Sequence, residues 1–219
     1  MTSLTVENYL KTIYQISTRG GGAPASTGGL AQALGVSPGT VTSMLKTLGE
    51  SGLATYTPYE GARLTAQGTA LALRVTRRHR LIELFLAKTL DMSWDEVHEE
   101  AENMEHAVSD LLIDRIDEFL GHPRVDPHGD PIPRADGSMD EPASLSLAEC
   151  QAGASFRLAR VLDQSPDFLR FLADSQLTIG AHGKVVNNRA ESGALSVEIG
   201  TRTATLGRDA AQKILVTLS

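Results

Sequence analysis

The stretch TGGLAQALGVSPGTVTSMLKTLGESGL, residues 27–53, decides the fold. Leu30, Ala31 and Leu34 mark a short helix that Gly35 ends, because a residue without Cβ takes the left-handed conformation that closes a helix. Ser37 then offers a side-chain oxygen to the free amides of a second helix, and Pro38 suits its first position. Val41, Met44, Leu45 and Leu48 supply the buried face of that helix. Two short helices across a tight Gly-Val turn predict a helix-turn-helix. The other side of the second helix is small and polar. Thr40, Thr42, Ser43 and Lys46 enter a major groove without clash, and threonine methyls can touch thymine. With Ser37, Pro38 and Gly39 at the helix start, they are the candidate DNA-reading residues.

Downstream, LATYTPYEGARLT reads as two short strands around Pro58 to Gly61, the order of a wing, with Arg63 placed for a phosphate. Upstream, Leu4, Tyr9, Leu10, Ile13, Tyr14 and Ile16 recur at near-helical spacing until Gly20-Gly21-Gly22-Ala23-Pro24 breaks the chain. Residues 1–73 therefore read as a winged helix-turn-helix domain. Its cations are few, so a single copy would bind DNA weakly, and a homodimer on two half-sites of double-stranded DNA is expected. Helix-turn-helix units also occur in proteins that never touch DNA.

Charge is unevenly divided along the 219 residues. Met1 to Leu90 holds nine basic residues against four acids, Asp91 to Pro142 three against sixteen, and the remainder eight against seven. A basic first third can sit on a polyanion and an acidic middle cannot, so the two are expected to do different work. One cysteine, Cys150, excludes an intrachain disulfide and any thiolate cluster. Glu7, Asn8 and Lys11 interrupt the first apolar pattern, and no later stretch approaches about 18 apolar residues. Neither a signal peptide nor a membrane span is expected, and a cytoplasmic protein is.

Thr65 to Leu90 reads as one long helix, and Asp91-Met92-Ser93 caps a following acidic helix with a break near Ser109. His79 and Glu83 stand four apart on the first. On the second, His98, Glu102, Glu105 and His106 fall within one arc of about 100°. Crowded carboxylates repel unless a cation offsets them. A solvated acidic face is the plainer alternative. Imidazole and carboxylate without sulfur suit manganese or iron(II), and also zinc or cobalt. A metallohydrolase is the rival use of such ligands, yet His98-Glu99-Glu100-Ala101-Glu102 lacks the second His of HExxH, and Glu102 to His106 lacks the first His of HxxEH. No nucleophile–base pair and no site for a small organic substrate stands out, so catalysis is not expected.

Asn8-Tyr9-Leu10-Lys11-Thr12-Ile13-Tyr14, the helix-turn-helix from Gly29 to Leu53, Arg78-His79-Arg80, Glu105-His106 and Gly129-Asp130-Pro131-Ile132-Pro133 together resemble the diphtheria toxin repressor and manganese transport regulator family, over roughly residues 4 to 135. The resemblance implies dimeric, metal-activated regulators, usually repressors, of iron or manganese homeostasis genes. It implies that His79, Glu83 and His98 match an ancillary metal site, and Glu102, Glu105 and His106 a primary one. Iron-type members carry Cys where this chain has Glu102, and manganese-type members carry Glu, which implies manganese. Asn8 occupies the place of the N-terminal ligand, normally Met or Asp, and Lys11 stands where manganese regulators have a second acid.

Residues 74–142 accordingly read as a helical dimerisation and metal-binding domain, ending in the Pro-, Gly- and Asp-rich loop HPRVDPHGDPIPRADGSMDEP, residues 122–142. His122 and His128 read there as loop residues in preference to ligands. Residues 143–219 alternate short strands at Phe156 to Val161, Lys184 to Asn187, Leu195 to Ile199 and Lys213 to Leu218 with a helix over Pro166 to Ser175. This part resembles the SH3-like barrel of the longer family members, so the fold class is mainly α with a small C-terminal β-barrel. In iron-type relatives the barrel gives a Glu and a Gln to the ancillary metal. Ser165 and Phe168 align there and cannot replace them, leaving Asp163, Gln164 or Asp167.

Overall fold

The computed structural model describes residues 3–140, 142–189 and 193–218. Helix α1 (Leu4–Arg19) is capped by Ser3 and stops at Gly20. Then come α2 (Thr27–Leu34) and α3 (Pro38–Glu50), joined as expected: Gly35 closes α2 at φ 64°, and the Ser37 side chain accepts from the Thr40 amide. Strands β1 (Ala54–Thr57) and β2 (Gly61–Leu64) pair antiparallel to form the wing. Leu10 and Ile13 of α1 are fully buried with Leu30, Val41, Leu45, Leu48 and Ala62, so α1 and the helix-turn-helix share one core. Burying each such Leu or Ile contributes about 1.5 to 3 kcal/mol, enough to make them move together.

Thr65 caps the 25-residue helix α4 (Ala66–Leu90), whose Gly68 amide donates to its hydroxyl. The acidic segment gives two helices, α5 (Val97–Met104) and α6 (Asp110–Phe119), and Ser109 caps the second as the expected break requires. That break begins earlier than the sequence indicated. Glu105 and His106 lie in a turn beyond α5, so the single helical stripe of His98, Glu102, Glu105 and His106 does not exist. The physical reason is tertiary: Glu105 is buried and its charge is satisfied by Lys11 and His79, both distant in sequence.

The last third contains β3 (Leu145–Ser146), a 3-10 turn (Leu147–Glu149), β4 (Ser155–Val161), α7 (Pro166–Asp174), β5 (His182–Arg189), β6 (Ala194–Ile199), β7 (Arg202–Gly207), α8 (Arg208–Gln212) and β8 (Ile214–Leu218). The six strands form one antiparallel sheet in the order β3-β8-β4-β5-β6-β7. Its edge strands β3 and β7 do not pair with each other among the described residues, so the expected barrel is an open sheet. Phe156, Leu158, Val161, Leu169, Leu172, Val197, Ile214 and Val216 fill its core.

The chain divides into two compact units. The first comprises Met1–His79, Glu105–Val108 and Pro133–Ser138, and the second Arg80–Met104, Ser109–Ile132 and Met139–Ser219. No helix among the described residues is long and apolar enough to cross a membrane.

Candidate metal centres and nucleic-acid interface

In the first unit, α3 exposes most of the candidate DNA-reading residues. Ser37, Pro38, Gly39, Thr40, Ser43 and Lys46 are exposed and Thr42 is half-buried. Thr42 donates its hydroxyl back to the Pro38 carbonyl (2.9 Å), while Thr40 and Ser37 share a hydroxyl contact at 2.9 Å. Arg63 is exposed on β2 and donates to the Gly22 carbonyl at 2.5 Å.

The same unit gathers Glu7, Asn8, Lys11, His79, Glu105 and His106. Glu105 is fully buried; its Oε1 accepts from Lys11 Nζ and its Oε2 meets His79 Nδ1, both at 2.6 Å. Burial pushes the Glu105 carboxyl up, but His79 and the Lys11 charge outweigh it and hold the group below the ordinary carboxylate range. His106 faces Glu7 Oε2 through Nδ1 and Asn8 Oδ1 through Nε2, each at 2.7 Å, and Nε2 lies 3.1 Å from Glu105 Oε1. A neutral imidazole has one N–H, so one of those contacts sets lone pair against lone pair. A second ring proton, a turned Asn8 amide or a cation resolves it. This convergence of imidazole nitrogen with amide and carboxylate oxygens fits a hard or borderline divalent ion.

In the second unit, His98 Nδ1 lies 3.1 Å from Glu83 Oε1 and His98 Nε2 4.0 Å from Glu102 Oε1. A further group was not read from the sequence. Glu83, Asp126 and His128 are all buried, and each brings one ligand atom within 4.8 Å of the others. His128 Nδ1 stands 3.7 Å from Glu83 Oε2, too far for a hydrogen bond, and neither it nor Asp126 Oδ2 has a hydrogen-bond partner. Asp126 Oδ2 has the Arg80 guanidinium at 3.7 Å but no hydrogen bond, and buried polar atoms left without hydrogen bonds are costly; a bound cation would satisfy both. Burial and the nearby charges of Asp130 and Glu83 push Asp126 up to about 7. For His128, burial works downward, but Glu83 and Asp126 overcome it and raise the ring to about 9. Its Nε2 is satisfied by the Trp94 carbonyl at 2.7 Å, and the two rings stack.

His79 meets Glu105 within the first unit, and Glu83 meets His98 and His128 within the second. Asp163 accepts from Lys213 Nζ (2.8 Å) and the Ser165 amide, and Gln164 donates to Asp130 (2.7 Å). His122, also read as a loop residue, pairs with Asp117 on the surface. Glu7 was missed because an acid in a first helical turn reads as ordinary dipole compensation. Asp126 was not singled out and His128 was read as a loop residue, inside a turn-rich stretch where the alternation Asp-Pro-His-Gly-Asp was the available signal.

Three family models match the chain in series. They are the iron-dependent repressor N-terminal DNA-binding domain over residues 1–62, the iron-dependent repressor metal-binding and dimerisation domain over 65–134, and a FeoA domain over 145–218. The chain is 33% identical over 147 residues to the diphtheria toxin repressor of Corynebacterium jeikeium (strain K411), an alignment covering 67% of this chain and 60% of that one. It is 30% identical over 195 residues to the diphtheria toxin repressor of Corynebacterium efficiens, covering 84% of each. Among solved structures, a manganese-dependent transcriptional repressor in complex with manganese superposes with a TM-score of 0.87 at 40% identity, covering 98% of this chain and 100% of that one.

Proposed function

This chain belongs to the iron-dependent repressor family, metal-dependent transcriptional repressors that are not enzymes, and from that premise we propose that it is a manganese(II)-dependent repressor binding operator DNA as a homodimer. The observation that carries this reading is the meeting of His106 Nε2 with Asn8 Oδ1 and Glu105 Oε1, in the same compact unit as the helix-turn-helix.

Asn8, Glu105 and His106 form the proposed primary ligand set of the first unit, their amide and carboxylate oxygens favouring a hard ion over a soft one. Bound metal supplies the positive charge that lets these acceptors converge. Asn8 rides on α1, and α1 shares its core with α2 and α3, so fixing Asn8 fixes the reading helix. Metal-free chains sample other spacings of the two reading helices in a dimer, and the ligand set selects the one that fits DNA. Thr40, Thr42 and Ser43 then meet base edges, with Ser37, Pro38, Gly39 and Lys46 along the backbone and Arg63 leaving Gly22 for a phosphate. Glu83, Asp126 and His128 form a second set with His98 beside it. Asp163 joins it by releasing Lys213, while Gln164 stays on Asp130. Iron(II), zinc and cobalt suit the same donors and compete by availability.

The dimer forms through α6, where Leu111 and Phe119 are 70% and 69% exposed. Side chains of that size left in water on a dimerisation domain are accounted for by a second copy.

Mobility shift of a DNA pool, with manganese(II) or with EDTA, tests the reading alongside elemental analysis of protein purified without added metal. The expected result is retardation in manganese and none in EDTA; equal retardation in both would mean a metal-independent DNA binder.

A further inference from the structure

Asp130 has no place in the proposed ligand sets, yet it is nearly buried and held from several sides. The Arg160 guanidinium on β4 pairs with its Oδ1, Gln164 Nε2 donates to its Oδ2 at 2.7 Å, and Arg80 approaches it at 3.8 Å. Asp130 passes this hold onward, because its amide donates to Asp126 Oδ1 (2.9 Å), the atom that also accepts from the His128 amide (2.8 Å). The loop is fastened to the same strand by its backbone: the Val161 amide donates to the His128 carbonyl (2.9 Å). Gly129 lies so close that a Cβ there would stand 2.0 Å from the Ala159 carbonyl. Strand β4 is itself rigid, since Phe156, Leu158 and Val161 are fully buried in the sheet core.

We propose that Arg160 and Gln164 of the sheet domain are positioning residues for the second metal set: by gripping Asp130 they hold the 126–130 loop so that Asp126 and His128 face Glu83. This rests on the reading that Glu83, Asp126 and His128 bind a divalent ion. The sheet domain thereby gains a role that needs no ligand of its own, and metal at that set and the docked loop stabilise each other. Groups that orient metal ligands typically change affinity by about 10- to 100-fold when removed.

Trp94, the single tryptophan, stacks on His128 with ring centroids 6.3 Å apart and reports the set directly. The test is titration of the full chain with manganese(II) chloride, followed by Trp94 fluorescence, with circular dichroism to verify folding. A saturable change is expected in the wild type and none in His128→Ala. Arg160→Gln and the milder Gln164→Leu should each raise the half-saturating concentration about tenfold. Arg160→Lys, which keeps the cation, should fall between, and Arg202→Gln on the distant edge strand β7 should titrate as wild type. Metal uptake at the remaining sites, measured calorimetrically in a His128→Ala background, should be unmoved by Arg160→Gln; a loss there would mean general damage and overturn the positioning role. Wild-type half-saturation in both Arg160→Gln and Gln164→Leu overturns the grip alone. A wild-type chain with no change that His128→Ala removes overturns the second metal set, and the grip with it.

Discussion

Lys11 Nζ lies 2.6 Å from Glu105 Oε1, joining two buried side chains 94 residues apart in sequence within one compact unit. An ammonium thus holds the charge of an acid that also belongs to the proposed metal set. The family resemblance implies a second acid at the Lys11 position, and this chain carries a cation there.

Removing one partner of a buried pair leaves the other charge uncompensated. Lys11→Met is therefore expected to destabilise the metal-free protein by about 3 kcal/mol, at the low end for such pairs because His79 still meets Glu105. Chemical denaturation in EDTA checks this, and an unchanged midpoint would show that the pair contributes nothing.

Replacing Lys46 on α3 with Ala should weaken DNA binding about equally for matched and unmatched sequences. The logarithmic salt dependence should become shallower by about one for each reading helix. A change confined to one base position, with the salt slope intact, would assign Lys46 to base reading instead.

Phe119 packs edge-to-face on Phe85, with ring centroids 6.1 Å apart, yet most of its surface is open. Leu111→Asp and Phe119→Asp should convert the proposed dimer to monomer in sedimentation and reduce DNA binding with it. A dimer that persists in both variants places the interface elsewhere.

The second metal set should release protons on loading. His128, at about 9 in the fold against an ordinary 6.5, stabilises the metal-free protein fully below about 6.5 and loses that contribution as pH rises through about 9. Asp126, raised to about 7 from 3.8, acts with the same sign: its contribution is complete below 3.8 and gone above about 7. Metal affinity should therefore rise with pH across this window, with about two protons released near pH 6 and fewer toward pH 9. Calorimetry in two buffers of different ionisation enthalpy counts them, and a count near zero at pH 6 contradicts the protonation assigned to this pair.

The helix-turn-helix was legible because its signals are local: Ser37, Pro38 and Gly35 each act within a few residues, and Val41, Leu45 and Leu48 repeat at the helical period. Strand β7 was not read, since RTATLG carries one large apolar residue, Leu206, and its pairing with β6 supplies the missing order. Nor was the closed or open state of the sheet, which depends on whether distant edges meet. Among the metal-site residues, types were easier to read than partners. Glu105 and His106 were singled out as candidates but assigned to a helix that ends at Met104, because buried pairing of Glu105 with Lys11 and His79 overrides helical spacing. His128 looked like a loop residue because tertiary folding alone brings it to Glu83, 45 positions earlier.

The account depends most on the coupling between metal and DNA. Fluorescence anisotropy with a duplex enriched from a random pool by manganese-loaded protein measures it, comparing wild type and His106→Ala in manganese(II) and in EDTA. Manganese should tighten wild-type binding about 5- to 150-fold and leave His106→Ala unaffected. Equal wild-type affinity in both conditions, or full manganese activation in His106→Ala, contradicts the account.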